Sequence, residues 1–224
     1  MNRSKPGPTQ QGVSLLFALL ALVALSLATL ALVRTVDTGG LVLGNIGFKQ
    51  DATVAGDQAT RQAVAWLKAN VAGLNADNAN SGYYASTKER NADTTVTPVD
   101  ATGQQYDVNA RKLIDWDNDT ACNYATSGSF AACALKTVAV GDVNGNKTRY
   151  VIFRLCQSAG DPNDEINNSC AKPLNSGSGA SGRGAMAYGT GRFTAAAGPY
   201  YRVIVRVLGP RNTASFTETI VNFQ

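Results

Sequence analysis

The side chains best suited to covalent chemistry in this chain are its four cysteines, Cys122, Cys133, Cys156 and Cys170. An even number of thiols in an exported chain points to disulfides. Four cysteines allow three pairings. Sequence does not choose among them, although pairing neighbours, Cys122 with Cys133 and Cys156 with Cys170, would close two short loops, each worth about 2–4 kcal/mol. No Cys-x-x-Cys knuckle is present, which turns the reading away from zinc. Histidine is absent from all 224 residues. Its absence removes Ser-His and Cys-His nucleophile activation, the commonest general acid–base and the commonest zinc ligand. No catalytic residue, metal ligand set or cofactor is assigned, and the chain is not read as an enzyme.

The remaining patterns with a chemical reading are weaker. Gly177, Gly179 and Gly182 match a dinucleotide fingerprint by letters, but they lie in a Gly/Ala/Ser run over residues 176–198 and not between a strand and a helix, as phosphate cradling requires. Asp142, Asn144 and Asn146 alternate as in a calcium loop, and so do Asp115, Asp117 and Asp119. Neither set has both the glycine and the late glutamate of such a loop, so they read as a hairpin turn and a solvated loop. Tyr83-Tyr84 and Tyr200-Tyr201 read as half-buried sheet residues. The net charge of +4 forms no basic stripe, and no nucleic-acid partner is expected.

Positioning falls to one long helix and a head. Residues 1–12, MNRSKPGPTQQG, are polar and basic. Val13 to Val33 carries no charge and no proline, and as a helix spans about 30 Å, the thickness of a bilayer's hydrocarbon core. Arg3 and Lys5 before it, against the cancelling Arg34 and Asp37 after it, keep the N-terminus cytoplasmic and export the rest. Gly39, Gly40, Gly44 and Gly47 predict a kink or melted turn at residues 38–47. Phe48, Ala52, Ala55, Ala59, Ala63 and Trp66 then share one helix face, extended by Leu67, which predicts packing on a sheet. The organisation is a leader over 1–12, a transmembrane helix over 13–33, a kinked extension over 34–74 and a disulfide-bonded head over 75–224. Within the head, Asn144-Gly145 between Leu135–Val140 and Arg149–Leu155 predicts a hairpin, and Tyr200–Leu208 with Ser215–Phe223 a second one. A short strand is expected around Gln105–Val108. The fold class is α+β, a long helix on an antiparallel sheet.

A polar, basic leader ending in glycine directly before an uninterrupted apolar helix resembles a type IV prepilin. The Gly44-Asn45 pair followed by the alanine-rich amphipathic stretch resembles the PilX-type minor pilins. The resemblance covers roughly residues 8–70. It implies cleavage after Gly12 by a prepilin peptidase, methylation of the new N-terminus at Val13, and retention of the helix. It implies the pilin head plan and a flexible section in the helix. Most pilins place a glutamate at the fifth mature position; here it is Phe17, and pilin-like proteins lacking that glutamate are typically minor subunits proposed for the filament tip. The implied function is to prime or cap pilus assembly; the alternatives are a tip pseudopilin of type II secretion and a pilus-borne adhesin head. The implied partners are other minor pilins, the major pilin, the prepilin peptidase, the inner-membrane assembly platform and inner-membrane lipid. The implied location is a single pass through the inner membrane with a periplasmic head, and later the extracellular pilus.

Overall fold

Leucine and alanine dominate Val13–Val33, and both hold a helical backbone at little entropic cost. A computed structural model, which describes residues 13–105, 111–125, 130, 132–164, 166–173, 198–210 and 212–222, places them in α1, Val13–Ala69, a helix of 57 residues. The leader with Gly12, most of the strand expected at Gln105–Val108, and the glycines at 177, 179 and 182 lie outside the described residues. The chain divides into two compact units, residues 1–50 and 51–224.

In the first unit every described residue is exposed and helical. The melted turn offered for residues 38–47 is not found: α1 continues as helix through Gly39, Gly40, Gly44 and Gly47. Each glycine costs about 1 kcal/mol against alanine but keeps its N–H, so no hydrogen bond of the helix is forfeited, as one would be at proline. Thr35 and Thr38 donate their hydroxyls to the carbonyls of Ala31 and Arg34, each at 2.9 Å, and stay within the helical pattern. A methyl group at any of the four glycines would meet nothing within 4 Å.

The second unit has three layers: the end of α1, a five-stranded sheet, and a smaller sheet. The strands are β1 (Tyr83–Tyr84), β2 (Val99–Asp100), β3 (Lys112–Asp115), β4 (Ala132–Lys136), β5 (Val138–Val143), β6 (Asn146–Arg154), β7 (Tyr201–Leu208) and β8 (Ala214–Val221). In the larger sheet the order is β1-β6-β7-β8, with β5 also paired to β6. Both predicted hairpins form: β5–β6 and β7–β8 are antiparallel. Asn144 and Gly145 turn the first of them with φ of 52° and 78°, the left-handed pair that matches strand twist.

The head is not purely antiparallel, as the sequence reading had it. β1 runs parallel to β6, and β2, β3 and β4 form a wholly parallel three-stranded sheet. Parallel neighbours need long returns, and the connections over 101–111 and 116–131 supply them between these short strands.

Strand alternation sorts the core into two. Tyr150, Ile152, Tyr201, Val203, Val205 and Val207 face Ala55, Ala59, Ala63 and Leu67 of α1, all buried. Val151, Phe153 and Ile204 face the other way, against Val99, Ile114, Trp116 and Leu135. Small residues on α1 set how closely helix and sheet approach: at Gly56 an added methyl group would lie 3.3 Å from Thr217 Oγ1.

Candidate functional site

The largest chemically distinctive surface is the first half of α1. Its most apolar eighteen residues have a mean hydropathy of 2.7 and bury nothing within the chain. By length and composition the helix can cross a membrane. Leu15, Leu16, Phe17 and Leu25 point outward around its circumference, which is the all-round apolarity of a helix made for lipid or for other helices. Val13 opens α1 at 59 % exposure, and Phe17 is 66 % exposed.

The proposed packing face divides. Ala55, Ala59 and Ala63 have no exposed surface, while Ala52 and Trp66 pack partly buried at the margin of the same core. Phe48, which the spacing placed on that face, is 46 % exposed. The i, i+4 spacing that includes it is continuous along the helix, but burial depends on a facing layer. In the second unit the sheet's apolar residues supply that layer for Ala55 to Leu67.

The cysteines join as Cys122–Cys133 and Cys156–Cys170. The first bond fastens the β3–β4 connection to β4 itself. The second closes the loop that follows β6.

The acidic alternations do not converge on a cation. Asp115 is buried and accepts the backbone N–H groups of Asp119 and Thr120, both at 3.0 Å. Asp117 pairs with Arg206, Nη2 to Oδ1 at 2.5 Å. Asn144 donates to Asp51 at 3.4 Å, and Asn146 is buried within β6. Among the described residues no three His, Cys, Asp or Glu side chains gather at one point.

Tyr83, Tyr84 and Tyr201 are buried, more deeply than the half-buried reading held. Burial raises the phenol pKa of Tyr83, against the opposing charge of Arg154, and burial pushes Tyr84 up to about 12. Tyr201 is raised by burial as well. Tyr83 donates its hydroxyl to the Leu74 carbonyl at 2.6 Å.

Three arginines escaped sequence reasoning. Arg154 has no exposed surface and donates to five acceptors: the carbonyls of Ala85 (2.9 Å), Leu74 (3.0 Å), Ser158 (3.4 Å) and Gly160 (2.7 Å), and Asn75 Oδ1 (3.2 Å). Arg111 pairs with Asp100 at 3.2 Å, with both side chains 1 % exposed. Arg206 lies over the rings of Trp116 and Tyr124, 5.7 and 5.8 Å from their centroids. Period-two counting along β6 and β7 puts Arg206 and Arg149 on one sheet face. That signal becomes visible once the register is known.

The described residues show how the head is fastened. They present a long apolar helix, a disulfide-bonded head and buried polar fastenings. No protein-family model, no curated protein and no solved structure matches the chain.

Proposed function

We propose that this chain is a PilX-type minor pilin that primes or caps a type IV pilus near its tip. The observation that carries the reading is the contrast within α1. Residues 13–50 are exposed and largely apolar, while Ala55, Ala59, Ala63 and Leu67 are sealed into the head. A single helix is thus anchored at one end by its own sheet and left bare at the other. Such a helix suits residence in lipid followed by packing against other helices.

The energetics agree with this sequence of events. Moving an apolar helix from lipid to a bundle of similar helices changes little hydrophobic energy, because lipid tails are as apolar as leucine. Assembly then requires external work and close packing. Phe17 in place of an acidic residue removes the cost of burying a charge in lipid, which would otherwise demand a partner. A subunit with no neighbour above it has no use for such a partner.

N-terminal analysis of the mature protein tests the reading. A methylated valine at residue 13 is the expected result. A mature start near residue 29 means the helix is discarded as an export signal and refutes the proposal. Deletion of the gene is expected to abolish piliation; normal pili with lost attachment would assign an adhesin instead, and lost secretion a pseudopilin.

A further inference from the structure

Arg149 of β6 and Arg206 of β7 stand directly opposite each other in the antiparallel register. Like charges in that position repel. Asp117 neutralises Arg206. Among the described residues the acceptors of Arg149 are neutral: its Nε donates to Thr137 Oγ1 at 2.8 Å and its Nη2 to the Thr137 carbonyl at 3.2 Å. Burial lowers its pKa, and the nearby charge of Arg206 works in the same direction, opposed by Asp117 and Asp115.

Next to this pair lies an open depression of about 370 Å³, lined by Arg149, Arg206, Lys147, Asp117, Asp142 and Gly141 among others. The β5–β6 register shifts between Ala139 and Gly141. Gly141 has φ of 102°, and a methyl group there would meet nothing within 4 Å, so this side of the depression stays clear. Arg206 is buried, and its Nε has no hydrogen-bond partner. Three cations face two carboxylates. One of these, Asp117, has a side chain 51 % exposed and can swing aside.

We propose that this depression is a carboxylate-binding site. An incoming carboxylate takes the Nη1 of Arg149 and the ammonium of Lys147, which stand in no ion pair among the described residues. A planar carboxylate matches the fork of a guanidinium. A free small carboxylate and an acidic side chain of another polypeptide share this chemistry. The inference does not depend on the pilin reading.

The test uses the full-length protein in detergent micelles carrying Trp66→Phe, which leaves Trp116, beside Arg206, as the single tryptophan. Three probes are titrated separately: acetyl-Gly-Glu-Gly-amide, sodium acetate and inorganic phosphate. The expected result is a saturable change in Trp116 fluorescence with the carboxylates that weakens as salt rises. Tighter binding of the peptide than of acetate assigns a polypeptide source, and equal binding a free anion; both support the site. Arg149→Gln is expected to weaken binding about ten-fold. Because that change also disturbs Thr137, Lys147→Gln on the exposed rim provides the second variant, with an expected loss of about three-fold or more. Three results overturn the proposal: no saturable response to either carboxylate, affinity unchanged in Lys147→Gln, or a response to phosphate alone.

Discussion

Arg154 carries a full charge into a site with no exposed surface, and its neighbours there are carbonyls and one amide oxygen. Hydrogen bonds to a charged donor are stronger than neutral ones, and acceptors left without a donor in a dry site are expensive. Arg154→Met is therefore expected to destabilise the protein by about 3–5 kcal/mol, read from the urea midpoint of the full-length chain in detergent. Arg154→Lys should recover only part of the loss, because an ammonium cannot span the fork. The buried phenols make a second residue-scale prediction. Burial raises the pKa of Tyr83, Tyr84 and Tyr201 in the folded state, to about 12 for Tyr84. Their contribution is thus fully present below the ordinary value of 10.0 and is lost as pH rises from there toward about 12. Each such tyrosine removes about 1.4 kcal/mol of stability per pH unit in that window. The tyrosinate absorbance of these three, obtained by difference from their phenylalanine variants, should accordingly rise together with unfolding in an alkaline titration. An absorbance rise that precedes unfolding, at the ordinary phenol pKa, would contradict this.

At the scale of elements, α1 holds two kinds of glycine, and they should respond oppositely to substitution. Gly56 sits against β8, where a methyl group would already press Thr217. Gly56→Leu is expected to cost about 1–3 kcal/mol by forcing helix and sheet apart. Gly44 faces open space, and Gly44→Ala should stabilise the helix by up to about 1 kcal/mol, seen as slower amide exchange over residues 39–47. The glycine-rich section illustrates what the sequence could and could not disclose. Propensity marks Gly39 to Gly47 as the weakest part of the helix, yet weakness is not a break while every N–H remains. The two hairpins were legible because their signals are local: Asn144-Gly145 in one, and β-branched alternation over Tyr201–Leu208 in the other. The alanine face was legible for the same reason: Ala55, Ala59 and Ala63 are buried against the sheet, while Phe48 at its start is 46 % exposed. The parallel pairings were not legible. β1 and β2 are two residues each, too short to show a period, and β1 pairs with β6, 69 positions along the chain (152 − 83), a choice that no short window of sequence encodes.

In the second unit as a whole, the larger sheet is clothed on both faces, by α1 on one and by the smaller sheet with its connections on the other. The connection between β3 and β4 belongs to that third layer, and Cys122–Cys133 closes it over a separation of 11 residues. Replacing both cysteines by alanine is expected to lower stability by about 3 kcal/mol. The losses should concentrate around Trp116 and Ile114 and leave the β6–β7 amides well protected in hydrogen exchange. The candidate basic depression was hidden from the sequence at this same scale. Arg149 and Arg206 are 57 positions apart (206 − 149), and Asp117 comes from a third segment, so only the assembled layers bring them together.

The fastening at Arg154 differs in kind from the carboxylate contacts that hold the outer layer. Its acceptors carry no charge, being four backbone carbonyls and one amide oxygen. Arg111–Asp100 and the amide bonds to Asp115 rest instead on carboxylates. Because Leu74 and Asn75 lie just past α1, and Ser158 and Gly160 just past β6, the single side chain of Arg154 splices the exit of the helix to the end of the central strand, and cutting it should loosen both together.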